Sequence, residues 1–324
     1  MGKIETNTPY DDVYRTMFAE CDELVFPLLN EAFGEHYTGK EKIIRLANEH
    51  YDTQQGGSQE KRITDSFIRV IGEKESAYHV ECESGADGSI LVRMFQYDSQ
   101  LALQDSHYDG KVLKVEFPKS AVLFLRSTST TPDEMKIEIH TPGGSVRYKV
   151  PTIKVKAYTL EEIKRKKLYI LIPFYLFNLE KDLKRFEQSE EQFKELLNTY
   201  TGIQTQLEQA VQKGELQSVT CAVIRDLSNK VAQNLASKYE NVKRGIGDIM
   251  GGRVLELDAL KIRDEGRAEG RAEGRAEGRA EGVRDLVSKL LKMGHTPTEI
   301  STFTEIPVKM IEEIETANLG SLVS

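Results

Sequence analysis

The amino-terminal hydrophobic pattern has the spacing of an amphipathic helix. Apolar side chains recur three or four positions apart across residues 10–33, the period of one helix face. Gly34 follows where the helix should end, because glycine readily adopts the left-handed conformation that closes a helix. Pro27 lies inside the pattern and predicts a bend there. We therefore predict one bent helix at the start of the chain.

Residues 43–158 show the pattern of short β-strands. Runs rich in β-branched residues alternate with clusters of Gly, Asp, Ser and Pro, which favours strands joined by turns. One helix at residues 88–104 interrupts them, and Gly143–Gly144 predicts a hairpin turn. The predicted strands are residues 43–47, 62–71, 77–84, 121–125, 135–140, 146–150 and 153–158.

Helical periodicity dominates the second half of the chain, to about residue 263. It first appears at residues 159–179, where Thr159 and Glu162 have the spacing of a capping box. Helix, strands, helix and strands in that order are typical of an α/β core. We therefore predict a mixed central sheet flanked by helices, then an all-helical region and a small helical carboxyl-terminal cap.

An internal repeat separates the helical region from this cap. After Gly266 the tetrapeptide Arg-Ala-Glu-Gly occurs four times. Like charges fall four residues apart but opposite charges do not, and glycine disfavours helix by about 0.8–1 kcal/mol at each position. The repeat predicts a flexible or marginally helical spacer, with an oligomerising helix as the alternative.

Three short helices are predicted after the repeat. Residues 283–293 have one apolar face, Thr296-Pro297-Thr298-Glu299 is a strong helix start, and Pro307 begins a third helix. The outline resembles a helix-turn-helix, but the third helix carries three glutamates against one lysine. A packing or dimerising cap is therefore favoured over a DNA-reading module.

Composition and charge narrow the function classes. The chain has 324 residues and a net charge of −8, whereas non-specific nucleic-acid binders usually carry excess positive charge. Any DNA contact must then depend on a local patch or on metal ions. No apolar run is long enough for a bilayer, no secretory signal is recognisable, and three separated cysteines predict a reducing cytoplasm.

The segment at residues 78–84, YHVECES, carries the most informative pattern. In a strand, His79, Glu81 and Glu83 would share one face and the apolar residues between them the other. The two carboxylates would be about 6.5–7 Å apart. A solvated face on a half-exposed strand is the alternative to a functional site.

Asp65 lies in the preceding predicted strand, where aspartate is disfavoured. If the two strands form a hairpin through residues 72–76, Asp65 would approach Glu81. One Asp and two Glu offer the hard oxygen donors that suit Mg²⁺ or Mn²⁺ rather than zinc. Arg93 and Tyr97, four residues apart on the next helix, are well suited to holding a phosphodiester beside such a site.

These residues carry a family resemblance. Asp65, the strand HVECES, Asp87 and the helix segment RMFQY at residues 93–97 resemble the PD-(D/E)XK nuclease superfamily. More narrowly, they resemble the Rpn family of recombination-promoting nucleases and transposase-like proteins. The opening DDVYR at residues 11–15 is similar to that family's amino-terminal motif, and the repeat with LLKMGHTPTEIS resembles its usual tail.

The resemblance implies a PD-(D/E)XK-like core and a metal-dependent DNA endonuclease linked to recombination or transposition. Asp65 and Glu81 would be the ligands of Mg²⁺ or Mn²⁺, and Arg93 and Tyr97 would bind DNA. Glu83 stands where the superfamily normally has lysine. It would therefore act as a base or bind a second ion, and cleavage is expected to be slow.

The expected organisation is a nuclease domain at residues 8–180, a helical region at 181–263, the spacer at 264–282 and the cap at 283–318. The expected partners are DNA and a second copy bound through the carboxyl-terminal helices, without a membrane. The alternative is a catalytically degenerate domain that acts as a DNA- or protein-interaction module. The negative charge and the missing lysine favour that alternative.

Three further candidates have ordinary alternatives. His79 would assist proton transfer or be a surface residue, and Asp11 would join the site or cap the first helix. Residues 164–167 form a basic cluster that would contact phosphate or be a solvated helix face. Nucleotide-cofactor and serine-hydrolase functions have no motif support, since GxGxxG, P-loop and GxSxG patterns do not occur.

Overall fold

The structure is a computed structural model that describes residues 9–46, 49–53, 59–63, 67–85, 88–251, 286–288, 290–291, 295–304, 306–311 and 314. The chain divides into two compact units, residues 1–256 and residues 257–324. The predicted site residue Asp65 and Asp87 of the resembling motif lie outside the described residues, as does the whole repeat.

Two helices open the first unit, α1 at Pro9–Glu20 and α2 at Asp22–Phe33. The single helix predicted here is wrong, because a break falls at Cys21, and Pro27 lies inside α2 without ending it. Asp22 and Glu23 occupy the first turn of α2, where negative side chains interact favourably with the helix dipole. Gly34 closes α2 as predicted, with a φ of 67° and its N–H bonded to the Asn30 carbonyl.

A six-stranded mixed sheet forms the centre of this unit, in the spatial order β1-β4-β5-β8-β10-β9. The pairs β5–β8 and β8–β10 are parallel and the other pairs are antiparallel. Its strands are β1 (Lys42–Arg45), β4 (Phe67–Ile71), β5 (Glu75–Glu83), β8 (Lys119–Phe124), β9 (Glu134–Thr141) and β10 (Gly144–Lys154). Two separate hairpins are β2 (Glu49–Thr53) with β3 (Gln59–Ile63), and β6 (His107–Asp109) with β7 (Val112–Lys114).

The strand pattern is confirmed in outline, but β2, β6 and β7 were not predicted. Within the strand predicted at residues 62–71, residues 62–63 belong to β3 and residues 67–71 are β4, and residues 64–66 lie outside the described part. The two strands predicted at 146–150 and 153–158 are one strand, β10, followed by a 3-10 helix at Val155–Ala157. Pro151 does not interrupt β10 because the strand changes its partner there, from β9 up to Pro151 to β8 from Thr152.

Helices cover both faces of the sheet. Helix α3 at Ile90–Gln104 lies on the face of His79. On the opposite face, the ring of Tyr78 lies 5.2 Å from that of Phe33 in α2. The predicted mixed sheet flanked by helices is therefore confirmed, and β5 lies in its interior.

The predicted helical region follows the sheet within the same compact unit. The Thr159–Glu162 capping box is confirmed, with both reciprocal hydrogen bonds present. The helix does not continue to residue 179, because Lys167 adopts a left-handed φ of 56° and a 3-10 segment with Pro173 follows. The segments are α4 (Leu160–Lys166), a 3-10 helix (Tyr169–Asp182), α5 (Leu183–Gln188), α6 (Glu190–Gln212), α7 (Ser218–Leu235) and α8 (Glu240–Met250).

The second unit has a small apolar core of its own. Val287, Ile300 and Ile311 are fully buried together. Helix α9, at Pro297–Thr304, begins as predicted, since Glu299 accepts hydrogen bonds from the Thr296 N–H and hydroxyl at 2.9 Å. The packing role predicted for this cap fits that core. Of the described helices in the whole chain, none has the length and apolar character needed to cross a bilayer.

Candidate active site

The candidate site lies on β5, an interior strand of the sheet and the second strand of the predicted hairpin, which is confirmed. Strand β4 pairs antiparallel with β5, and Phe67 lies opposite His79. On its other edge β5 pairs parallel with β8. Helix α3 covers the face that carries His79, Glu81 and Glu83, and all three side chains are buried. The half-exposed strand considered from the sequence is therefore wrong, since an interior strand covered on both faces has no solvated side.

His79 is fully buried and contacts carboxylates on both sides. Its Nδ1 lies 2.6 Å from Oδ1 of Asp98 in α3, and its Nε2 lies 2.9 Å from Oε1 of Glu81. Asp98 also accepts a hydrogen bond of 2.7 Å from the Ser120 hydroxyl in β8. The surface alternative for His79 is wrong, because the side chain is fully buried and stacks on the Phe67 ring at 4.1 Å.

The surroundings of His79 favour its protonated form. Burial alone lowers the pKa of the imidazole, but hydrogen bonds and charge from Asp98 and Glu81 outweigh it and raise the pKa to about 9. Both ring nitrogens therefore donate at neutral pH, one to each carboxylate. A neutral histidine acting as a general base is not what this environment stabilises.

Glu83 is paired with the arginine that was predicted to contact DNA. Nη2 of Arg93 donates to Oε2 of Glu83 at 2.9 Å, and the Gly85 N–H donates to the other carboxylate oxygen at 3.2 Å. The Arg93 side chain is 22% exposed and that of Glu83 10%. The site thus has a cation beside the position where lysine was expected.

Tyr97 is more buried than a side chain that contacts DNA would need to be. The residue is only 7% exposed and packs with Leu101, also in α3, against Phe67 of β4. DNA contact by Arg93 and Tyr97 stays a prediction, and in this conformation both side chains are occupied within the protein.

The carboxylates of this face have the chemistry of hard metal ligands. Glu81 and Glu83 provide hard oxygen donors, which fit Mg²⁺ or Mn²⁺ by chemistry. In the described part of the chain, however, there is no group of three or more His, Cys, Asp and Glu side chains that could hold a metal ion. A complete set of protein ligands would therefore need Asp65, which lies outside that part.

Three residues at the site were missed from the sequence. Asp98 and Ser120 complete the hydrogen-bond chain to His79. Arg126, just after β8, donates to the Ser84 carbonyl at 2.6 Å and forms a bidentate pair with Glu180 at 2.7 Å. Of these three, only Asp98 could have been suspected from the sequence, because it is an acidic residue beside the apolar stripe of an amphipathic helix.

Asp11 and the basic cluster at residues 164–167 are the other two candidates from the sequence. Asp11 lies in the first turn of α1 rather than before it, so the N-cap interpretation is wrong. In the basic cluster, Lys166 pairs with Glu31 at 2.6 Å and Lys167 with Glu215 at 3.6 Å. The phosphate-contact hypothesis for this cluster stays untested.

Comparison with known proteins identifies no relative of this chain. No family model, no curated protein and no solved structure matches it significantly.

Proposed function

We propose that the protein is a metal-dependent DNA endonuclease that hydrolyses phosphodiester bonds at the buried acidic face of β5. One observation carries the proposal. Glu81 and Glu83 are both buried on the same face of one strand, each beside a basic partner, His79 and Arg93. Buried ionisable groups with specific charged partners are enriched at functional sites, because catalysis needs groups with perturbed protonation.

The charge balance of this face supports a bound cation. Glu81, Glu83 and Asp98 contribute three negative charges, and Arg93 with the protonated His79 contributes two positive ones. One negative charge remains among these five side chains. If Asp65 joins them the excess becomes two, which one divalent ion would neutralise.

Asp65 is the proposed second ligand of that ion. The hairpin register sets Phe67 opposite His79. If this pairing were continued by two residues, strand alternation would set residue 65 on the face of Phe67 and opposite Glu81. We therefore expect the Asp65 carboxylate to meet that of Glu81, as the resemblance to PD-(D/E)XK nucleases implies.

The protein side chains have separate tasks in the proposed reaction. A bound Mg²⁺ would polarise the phosphodiester and lower the pKa of a coordinated water. Asp65 and Glu81 would hold the ion, and Glu83 would accept a proton from the attacking water. Arg93, beside Glu83, would supply the positive charge that the superfamily takes from lysine. Tyr97 would support the helix that carries Arg93 and contact DNA only after a local rearrangement.

The mixed sheet supports the nuclease fold only in general terms. It has the mixed pairing and flanking helices that the resemblance implies. The narrower proposal, a nuclease of the Rpn kind linked to recombination or transposition, depends on the motifs in the sequence. We also propose that the protein self-associates through its carboxyl-terminal helices.

Plasmid nicking tests the proposal. The full-length protein should convert supercoiled plasmid to nicked circles with Mg²⁺ or Mn²⁺ and not with EDTA. Asp65→Ala and Glu81→Ala should abolish nicking while the circular dichroism spectrum stays native. Glu138→Ala, a carboxylate on the exposed edge strand β9, is the matched control and should cut normally. Equal cutting by all four proteins would contradict the proposal.

A non-enzymatic interaction module is the second candidate. The pairing of Arg93 with Glu83 and the burial of Tyr97 favour it, because both side chains are already engaged within the protein. A calorimetric Mn²⁺ titration followed by DNA binding at low salt separates the two candidates. Metal binding without DNA affinity would favour the interaction module.

A further inference from the structure

We infer that His79 is a positioning residue that holds the Glu81 carboxylate in one orientation, and that Asp98 and Ser120 hold the imidazole. The inference rests on the proposed function, since it concerns the orientation in which Glu81 would meet the divalent ion. It assigns a task to three side chains that the proposed chemistry does not use.

The four side chains form one continuous chain of hydrogen bonds. The Ser120 hydroxyl donates to Oδ2 of Asp98 at 2.7 Å, and Oδ1 of Asp98 lies 2.6 Å from Nδ1 of His79. The other ring nitrogen of His79 lies 2.9 Å from Oε1 of Glu81. This series of hydrogen bonds begins at Ser120 on β8, passes through Asp98 on α3 and ends on β5. It therefore links Glu81 to two neighbouring elements of the fold.

The imidazole has little freedom to turn. It stacks on the ring of Phe67, with the ring centres 4.1 Å apart and the planes 26° apart. Both His79 and Asp98 are fully buried. Rotation of either side chain would leave a buried donor or acceptor unpaired, which is unfavourable. The orientation of Nε2 towards Glu81 is thus imposed by its surroundings.

A donor in a fixed position determines which carboxylate oxygen of Glu81 accepts its hydrogen bond and which one would be left for the ion. Partners behind a metal ligand commonly set its orientation, and their loss costs about 10–100-fold in metal affinity or activity. The described contacts of Glu83 include Arg93 and the Gly85 N–H. The described contact of Glu81 with a buried, oriented imidazole is what a ligand of fixed geometry would need.

Two neutral substitutions separate positioning from structural support. The amide nitrogen of glutamine occupies the topological position of Nε2 in histidine, and that of asparagine the position of Nδ1. His79→Gln thus keeps a donor near Glu81 and loses the one near Asp98, whereas His79→Asn does the reverse. Both lose the imidazolium charge and both leave one buried carboxylate without this partner.

The readout is Mn²⁺ affinity, measured by isothermal titration calorimetry on the full-length protein, with the melting temperature recorded for each variant. We expect the two variants to melt within a few degrees of each other. His79→Gln should bind Mn²⁺ within about threefold of wild type, and His79→Asn at least tenfold more weakly. Plasmid nicking should follow the same order in kcat rather than in KM.

Equal Mn²⁺ affinity in both variants would overturn the inference and leave the proposed function standing. Absence of Mn²⁺ binding and nicking in the wild-type protein would overturn the proposed function, and the inference with it. If neither variant folds, Ser120→Ala provides the test, since it removes only the outermost donor of the chain. It should weaken Mn²⁺ binding two- to fivefold, whereas Ser99→Ala on α3, whose hydroxyl bonds only its own helix backbone at Phe95, should not. Unchanged affinity in Ser120→Ala would overturn the inference.

Discussion

Nδ1 of His79 lies 2.6 Å from Oδ1 of Asp98, and neither side chain is accessible to solvent. This contact joins the central strand β5 to helix α3. The same helix carries Arg93, whose guanidinium pairs with Glu83, four residues after His79 on β5. Two charged contacts between one strand and one helix therefore define the face on which the proposed chemistry depends.

The His79–Asp98 contact predicts a pH-dependent stability in the metal-free protein. The pKa of His79 is raised from 6.5 to about 9 in the folded state by Asp98 and Glu81, against the opposing effect of burial. Below pH 6.5 its contribution is fully present. As pH rises towards 9, the unfolded chain releases the proton and the folded chain keeps it, so the contribution is lost.

Urea unfolding in EDTA between pH 6.5 and 9 measures this effect. The free energy of unfolding should fall by on the order of 1 kcal/mol per pH unit. In His79→Gln this part of the slope should disappear. A slope that is the same in both proteins would show that His79 does not carry the extra proton.

The Arg93–Glu83 pair predicts a larger stability effect than a surface pair. Arg93→Met should destabilise the protein by about 1–3 kcal/mol, because it leaves the Glu83 carboxylate buried with one charged partner fewer. The matched control is Arg147→Met, which removes an exposed partner of Glu138 and should change stability by about 0.5 kcal/mol or less. Chemical denaturation of both variants measures the difference, and equal effects would contradict the burial argument.

A close helix contact predicts opposite effects at two glycines. A Cβ added at Gly245 in α8 would lie 2.7 Å from side-chain atoms of Phe193 and Leu197 in α6. At Gly202 in α6 it would meet nothing within 4 Å. Gly245→Ala should destabilise the protein by about 1–2 kcal/mol, whereas Gly202→Ala should stabilise it by about 0.5–1 kcal/mol. Thermal unfolding of the two variants measures both signs, and stabilisation by Gly245→Ala would show that α6 and α8 do not pack this closely.

Local signals allowed much of the fold to be predicted. The capping boxes at Thr159 and Thr296 and the αL position at Gly34 depend on a few neighbouring residues, and all three are confirmed. The hairpin of β4 and β5 was also predicted, since alternation and a turn define it. The errors came where a contact with a distant segment determines the bounds of an element. At Pro151, for example, a change of neighbouring strand allows one long strand.

The candidate site was predicted less completely than the fold. Strand alternation correctly set His79, Glu81 and Glu83 on one face, because that depends only on local geometry. Alternation cannot show whether the face meets water or a helix, so the burial of His79 was missed. Asp98 is 19 residues and Ser120 41 residues from His79, and no local pattern joins such positions.

A crystal structure of the full-length protein soaked with Mn²⁺ tests the central claim most directly, because the anomalous signal locates the ion. The proposed function predicts one anomalous peak within coordination distance of a carboxylate oxygen of Asp65 and of one of Glu81, with His79 still bonded to Glu81. It would be contradicted by Asp65 turned away from Glu81, or by Mn²⁺ bound only elsewhere.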